Sequence, residues 1–107
     1  IDGDLTIDQN LSVDSGGLAL VVVSGNITIN GDVDNVEGVF IANGSITVND
    51  GDNQADLQGT FVADADGNAV GSILLGRDLG TGNFSNPGTL FTFRPDFIVQ
   101  MILHNIV

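Results

Sequence analysis

Gly25-Asn26-Ile27-Thr28-Ile29-Asn30 is one of four copies of a phrase that decides how this chain is read. The others are Gly3-Asp4-Leu5-Thr6-Ile7-Asp8, Gly44-Ser45-Ile46-Thr47-Val48-Asn49 and, more loosely, Gly71-Ser72-Ile73-Leu74-Leu75-Gly76. Each is a glycine followed by a short, mostly alternating run of aliphatic and polar residues. Alternation with period two puts the two kinds on opposite faces of a strand. The copies start 22, 19 and 27 residues apart. That spacing belongs to stacked strand units rather than to the longer helical repeats.

A second phrase precedes the later copies of the first. Val36-Glu37-Gly38-Val39-Phe40-Ile41-Ala42 matches Leu57-Gln58-Gly59-Thr60-Phe61-Val62-Ala63 at an offset of 21, and Leu18-Ala19-Leu20-Val21-Val22-Val23-Ser24 stands in the same place one unit earlier. The order is therefore strand, glycine corner, strand, then a turn rich in Asp, Asn and Gly. This predicts an all-β fold: a short right-handed parallel β-helix, or β-solenoid, of about three to four coils over residues 1–97. Stacking places Leu5, Ile27, Ile46 and Ile73 in one internal ladder and Ile7, Ile29, Val48 and Leu75 in the next. Thr6, Thr28 and Thr47 form an outer polar row, and Phe40 stacks on Phe61. A partial coil at 1–14 precedes, and Thr89 to Asp96 begins another. The excursion Asp64-Ala65-Asp66-Gly67-Asn68-Ala69 lengthens the third coil.

Composition excludes several function classes. Thirteen Asp and one Glu face only Arg77 and Arg94, so the 107 residues carry a net charge of −12. With no basic footprint to displace counterions, nucleic acid and anionic lipid are poor partners. The absence of cysteine rules out disulfides and thiolate metal sites. The start at Ile1, without a methionine, is consistent with removal of an upstream portion. Residues 98–107 read as an apolar capping or docking segment that is too short for a transmembrane helix. Their structure reads equally as strand or helix. Phe97, Ile98, Val99, Met101, Ile102, Leu103 and Ile106 are the candidate assembly residues, because an uncharged apolar end must fold over its own last coil or dock on another subunit.

The candidate chemistry lies in the turns. Asp32/Asp34, Asp50/Asp52 and Asp64/Asp66 pair carboxylates as Asp-x-Asp, a pattern that offers oxygen ligands for a weakly bound Ca²⁺. Solvated turn aspartates are the plainer account of the same residues. His104 has no second histidine or cysteine to make a metal or nucleophile set. Carboxylate pairs alone leave a polysaccharide-cleaving enzyme conceivable, but sugar-stacking Trp and Tyr are absent. No catalytic residues and no cofactor beyond that Ca²⁺ are expected. Arg77-Asp78 and Arg94-Pro95-Asp96 are expected to form structural ion pairs near the end of the stack.

Leu57-Gln58-Gly59-Thr60-Phe61-Val62-Ala63 through Leu75-Gly76-Arg77-Asp78-Leu79, with Phe91-Thr92-Phe93-Arg94-Pro95-Asp96, resembles a group of uncharacterised bacterial surface proteins that carry a short parallel β-helix near their C-terminus. The resemblance covers most of residues 18–97 and rests on hydrophobic motifs. It implies an extracellular or cell-surface location and a structural role, and supplies no catalytic residues. Bactofilins, cytoskeletal β-helices that polymerise end to end, share the architecture but not these phrases. The expectation is a non-enzymatic, self-associating structural module, such as the subunit of an extracellular filament assembled head to tail. The alternatives are an adhesin or phage tail-fibre recognition module and, further off, a polysaccharide-cleaving β-helix.

Overall fold

A computed structural model describes residues 1–14, 16–67, 71–80 and 87–96. It is all-β: β1 (Leu5–Ile7), β2 (Leu20–Val23), β3 (Ile27–Ile29), β4 (Asn35–Ala42), β5 (Ile46–Val48), β6 (Ala55–Val62), β7 (Ile73–Leu75) and β8 (Thr89–Thr92). The odd strands form one sheet in the order β1-β3-β5-β7, and the even strands a second in the order β2-β4-β6-β8. Every pairing is parallel. The chain therefore alternates strictly between sheets, and each tier of two strands lies against the tier before it.

The repeated phrase fixes the register. Leu5, Ile27, Ile46 and Ile73 are successive partners, as are Ile7, Ile29, Val48 and Leu75. Thr6, Thr28 and Thr47 line up between them. In the inner strands the aliphatic positions are buried, with Ile27 and Ile46 each 1% exposed, while the threonines are half-buried. Removing one such Ile or Val from water contributes on the order of 1.5–3 kcal/mol. In the second sheet Val36 pairs with Leu57 and Phe40 with Phe61. The Phe40 and Phe61 rings stack at 5.4 Å and 9°, and Phe91 meets Phe61 edge-on at 5.9 Å. Phe40, with Phe61 packed against it, and the buried rungs of the two aliphatic ladders meet in one core that also takes in Val23, Val33, Ala42 and Ala55.

Two kinds of glycine make this packing possible. Gly38 and Gly59 are register partners with φ of 145° and 134°, a backbone region hostile to other L-residues. They bend β4 and β6 at the same level. The corner glycines Gly25, Gly44 and Gly71 are needed for a different reason, close approach. A Cβ on Gly25 would collide with the Asp4 carboxylate, on Gly44 with the Asn26 side-chain oxygen, and on Gly71 with the Gly44 carbonyl. The crowding has a purpose. Asp4 Oδ1 accepts the Asn26 N–H at 2.8 Å, Asn26 Oδ1 accepts the Ser45 N–H at 2.8 Å, and Ser45 Oγ accepts the Ser72 N–H at 3.0 Å. The residue after each glycine thus caps the next tier's backbone with a side-chain oxygen, a bond between residues 19 to 27 apart in sequence.

Two expectations need correction. The stretch Leu18–Ser24 is displaced by one from a residue-for-residue match, because Val21 pairs with Phe40 at an offset of 19. The last strand does not continue the buried ladder: Ile73 and Leu75 are 41% and 54% exposed. Ile27, Ile29, Ile46 and Val48 lie between two tiers, whereas among the described residues no tier lies beyond β7 to cover Ile73 and Leu75. The segment 98–107, the assembly positions Phe97 to Ile106 and Asn68-Ala69 of the excursion fall outside the described residues.

Ile46→Asp is expected to abolish the cooperative melt, since a buried, unpaired carboxylate costs several kcal/mol. Thr47→Asp, one residue on, should shift stability by less than about 1 kcal/mol. Equal loss at the two positions in thermal melts would contradict the register.

Candidate functional site

The two arginines, the acidic turns and the two outer edges of the sheets hold the chain's polar and exposed chemistry. Arg77 follows β7 and turns inward. Its side chain is fully buried, and a guanidinium cannot shed its charge, so every donor must be met. Nε donates to the Asn49 carbonyl at 2.9 Å and Nη1 to that of Asn53 at 2.8 Å. Nη2 donates to Val33 at 3.0 Å and Asn30 at 3.2 Å. The half-exposed Asp34 carboxylate lies 3.7 Å from Nη1. Arg77 therefore ties together turns of three successive tiers. The expected Arg77–Asp78 pair is replaced by this arrangement: Asp78 instead gives its backbone N–H to Asp50 Oδ1 at 3.0 Å. A charge surrounded by turn carbonyls is best satisfied by pointing along the stack, not back at its neighbour.

Arg94 does pair with Asp96 as expected, with Nε and Nη2 donating to the two carboxylate oxygens at 2.9 and 2.8 Å. Its Nη1 donates to Gln58 Oε1 at 3.1 Å and lies 3.5 Å from Glu37 Oε1. Glu37 also accepts from Asn35 Nδ2 at 3.0 Å and from the Val13 N–H at 3.0 Å. Gln58 Nε2 in turn donates to Asp56 Oδ2 at 3.0 Å. Register explains the cluster, because Glu37 lies opposite Gln58 and Gln58 opposite Thr92. Sequence reasoning missed it, although the match of Glu37 to Gln58 in the second phrase was its signal. The Asn35 amide, then the Val13 N–H, and then the Arg94 charge hold the Glu37 carboxyl below its ordinary value. A carboxylate kept ionised and supplied with donors is a poor proton donor, so the cluster is a brace across β4, β6 and the segment after β8.

The paired aspartates do not converge. Asp34 faces Arg77 and accepts from Asn53 Nδ2 at 3.4 Å. Asp50 caps Asp78, Asp32 and Asp52 are exposed, and Asp64 sits at a positive φ of 54° in the turn where Gly67 donates to its carbonyl. Among the described residues no three carboxylates or histidines gather to hold a metal. Asp2 and Asp4 bond across the corner instead, to Ser24 and to the Asn26 N–H.

The edges are apolar. On one side Leu74, between Ile73 and Leu75, is 51% exposed, and Leu90, Phe91 and Phe93 are exposed on and after β8. On the other, an open groove of about 370 Å³ is lined by Ile1, Leu5, Ile7, Leu11, Val21 and Phe40. Among the described residues no helix is long and apolar enough to cross a membrane. No protein-family model matches this chain, and neither a curated protein nor a solved structure matches it.

Arg77→Leu strands four carbonyls and Asp34, and is expected to cost about 3–5 kcal/mol in urea unfolding. Arg94→Leu, whose side chain is partly exposed to water, should cost under about 1.5 kcal/mol. A reversed order would contradict the clamp. Glu37, with its folded pKa depressed, contributes stability above its ordinary value of 4.5 that is lost as pH falls below it. The pH dependence of unfolding below that value should therefore be shallower in Glu37→Gln than in the parent.

Proposed function

We propose that this chain is a structural, non-enzymatic module, a short right-handed parallel β-solenoid that self-associates at an extracellular or cell-surface location. The solenoid reading is supported by the strict alternation of strands between two parallel sheets and by the repeated corner bond. Right-handedness follows the general preference of parallel crossover connections. The resemblance to bacterial surface proteins with a short β-helix agrees with this role.

One observation carries the self-association: β7, an outer strand of the first sheet, exposes the apolar positions that β3 and β5 bury. Ile73 and Leu75 stand open where Ile27, Ile29, Ile46 and Val48 are sealed. Open strand edges with apolar faces are templates for pairing with another chain. A contact between unlike ends does not close, so it propagates into a fibre. The apolar segment 98–107 is a further candidate contact, read from sequence alone. The charge of −12 opposes any such contact at low ionic strength and less so when salt screens it.

Sedimentation velocity over a concentration series is expected to show larger species that grow with protein and with NaCl from about 20 mM to 0.5 M, the range over which the Debye length falls severalfold. Electron microscopy of the same samples should show fibres. A monomer at every concentration in both salts would remove this reading.

A further inference from the structure

Resting on the self-association just proposed, we infer that the β7 edge takes the β1 edge of a second copy, with Gly3-Asp4-Leu5-Thr6-Ile7 in register on Gly71-Ser72-Ile73-Leu74-Leu75. The backbone pattern inside the molecule sets this register. Leu5 donates its N–H to the Asn26 carbonyl, Ile27 to Ser45 and Ile46 to Ser72, each at 2.9 Å. On the return side Asn30 donates to the Ile7 carbonyl, Asn49 to Ile29 and Gly76 to Val48. The same alternation aims the Ile73 N–H and the Leu75 carbonyl away from β5. There they meet the Asp4 carbonyl and the Asp8 N–H of the next copy. Ser72 Oγ stands where Asp4, Asn26 and Ser45 each cap the following tier, and it receives the Asp4 N–H.

The corner selects the occupant. A strand laid on β7 must bring a residue without Cβ to the corner, because Gly25, Gly44 and Gly71 each touch the preceding tier. The phrase beginning at Gly3 carries the glycine, a polar residue after it and an aliphatic pair of the right period. The second copy's first tier thus meets the requirement that the corner sets. Leu5, only half-buried, gains the partner that Ile27 and Ile46 already have.

Disulfide trapping tests the register, since the chain has no cysteine of its own. Thr6 and Leu74 are exposed and would face each other across the junction. Parallel neighbours lie about 4.8 Å apart, within the range of about 4.4–6.8 Å between Cα atoms that a disulfide spans. The double variant Thr6→Cys/Leu74→Cys, oxidised in 0.5 M NaCl, is expected to give a ladder of covalent oligomers that collapses on reduction. An equimolar mixture of the two single variants should stop at a heterodimer that outweighs both homodimers. Predominant homodimers would overturn the unlike-end contact. Larger species in sedimentation without cross-links would overturn this register and leave the self-association standing. A monomer whose thiol at position 74 resists alkylation would mean that the chain covers its own β7 edge, and a monomer with a reactive thiol there would remove both readings.

Discussion

The close approach of successive tiers at Gly25, Gly44 and Gly71 is the constraint on which the rest depends. Without a Cβ at the corner, the backbone comes near enough for Asp4, Asn26 and Ser45 to cap the tier that follows. That bond sets the level at which Ile27 and Ile46 enter the core, and hence which residues face inward. A one-residue slip would reverse the faces and bury the threonine row. Register is held at the corner and then made energetically costly to change by the aliphatic ladders.

The two arginines show how burial decides the worth of a charge. Both touch three tiers. Arg77 is sealed from water, so its four carbonyl bonds are obligatory and its removal leaves buried acceptors unmet. Arg94 keeps contact with solvent, and water can replace what Glu37, Gln58 and Asp96 provide. In a chain with fourteen carboxylates, the cation that matters most for stability is the one bonded chiefly to neutral carbonyls.

Much of the fold was legible because the repeat and the period-two pattern act together. The phrases gave the partners of Ile27, Ile46 and Ile73 and the stack of Phe40 on Phe61, since equivalent residues in stacked strands must be neighbours. The route of Arg77 was not legible. Its partners are backbone carbonyls of Asn30, Val33, Asn49 and Asn53, groups that every residue has and no side-chain pattern marks. The cluster around Glu37 was half legible, since the matched phrases put Glu37 beside Gln58, but the arrival of Arg94 depends on where β8 joins the sheet. The exposure of Ile73 and Leu75 escaped because a ladder read from sequence has no ends.

Those ends set two forces against each other. Apolar side chains on β7 and β8 favour burial at roughly 25 cal/mol per Å², and they do so regardless of salt. The aspartates near both edges, among them Asp2, Asp4 and Asp8 beside β1 and Asp78 beyond β7, repel a like-charged copy over about a Debye length. Screening removes the second force and leaves the first. On the proposed self-association, the balance would keep copies apart where ions are scarce and let them meet where ions are plentiful. Under that proposal the acidity would make contact between copies depend on the ionic surroundings, while the ladders that hold each copy together, apolar and uncharged, would not respond.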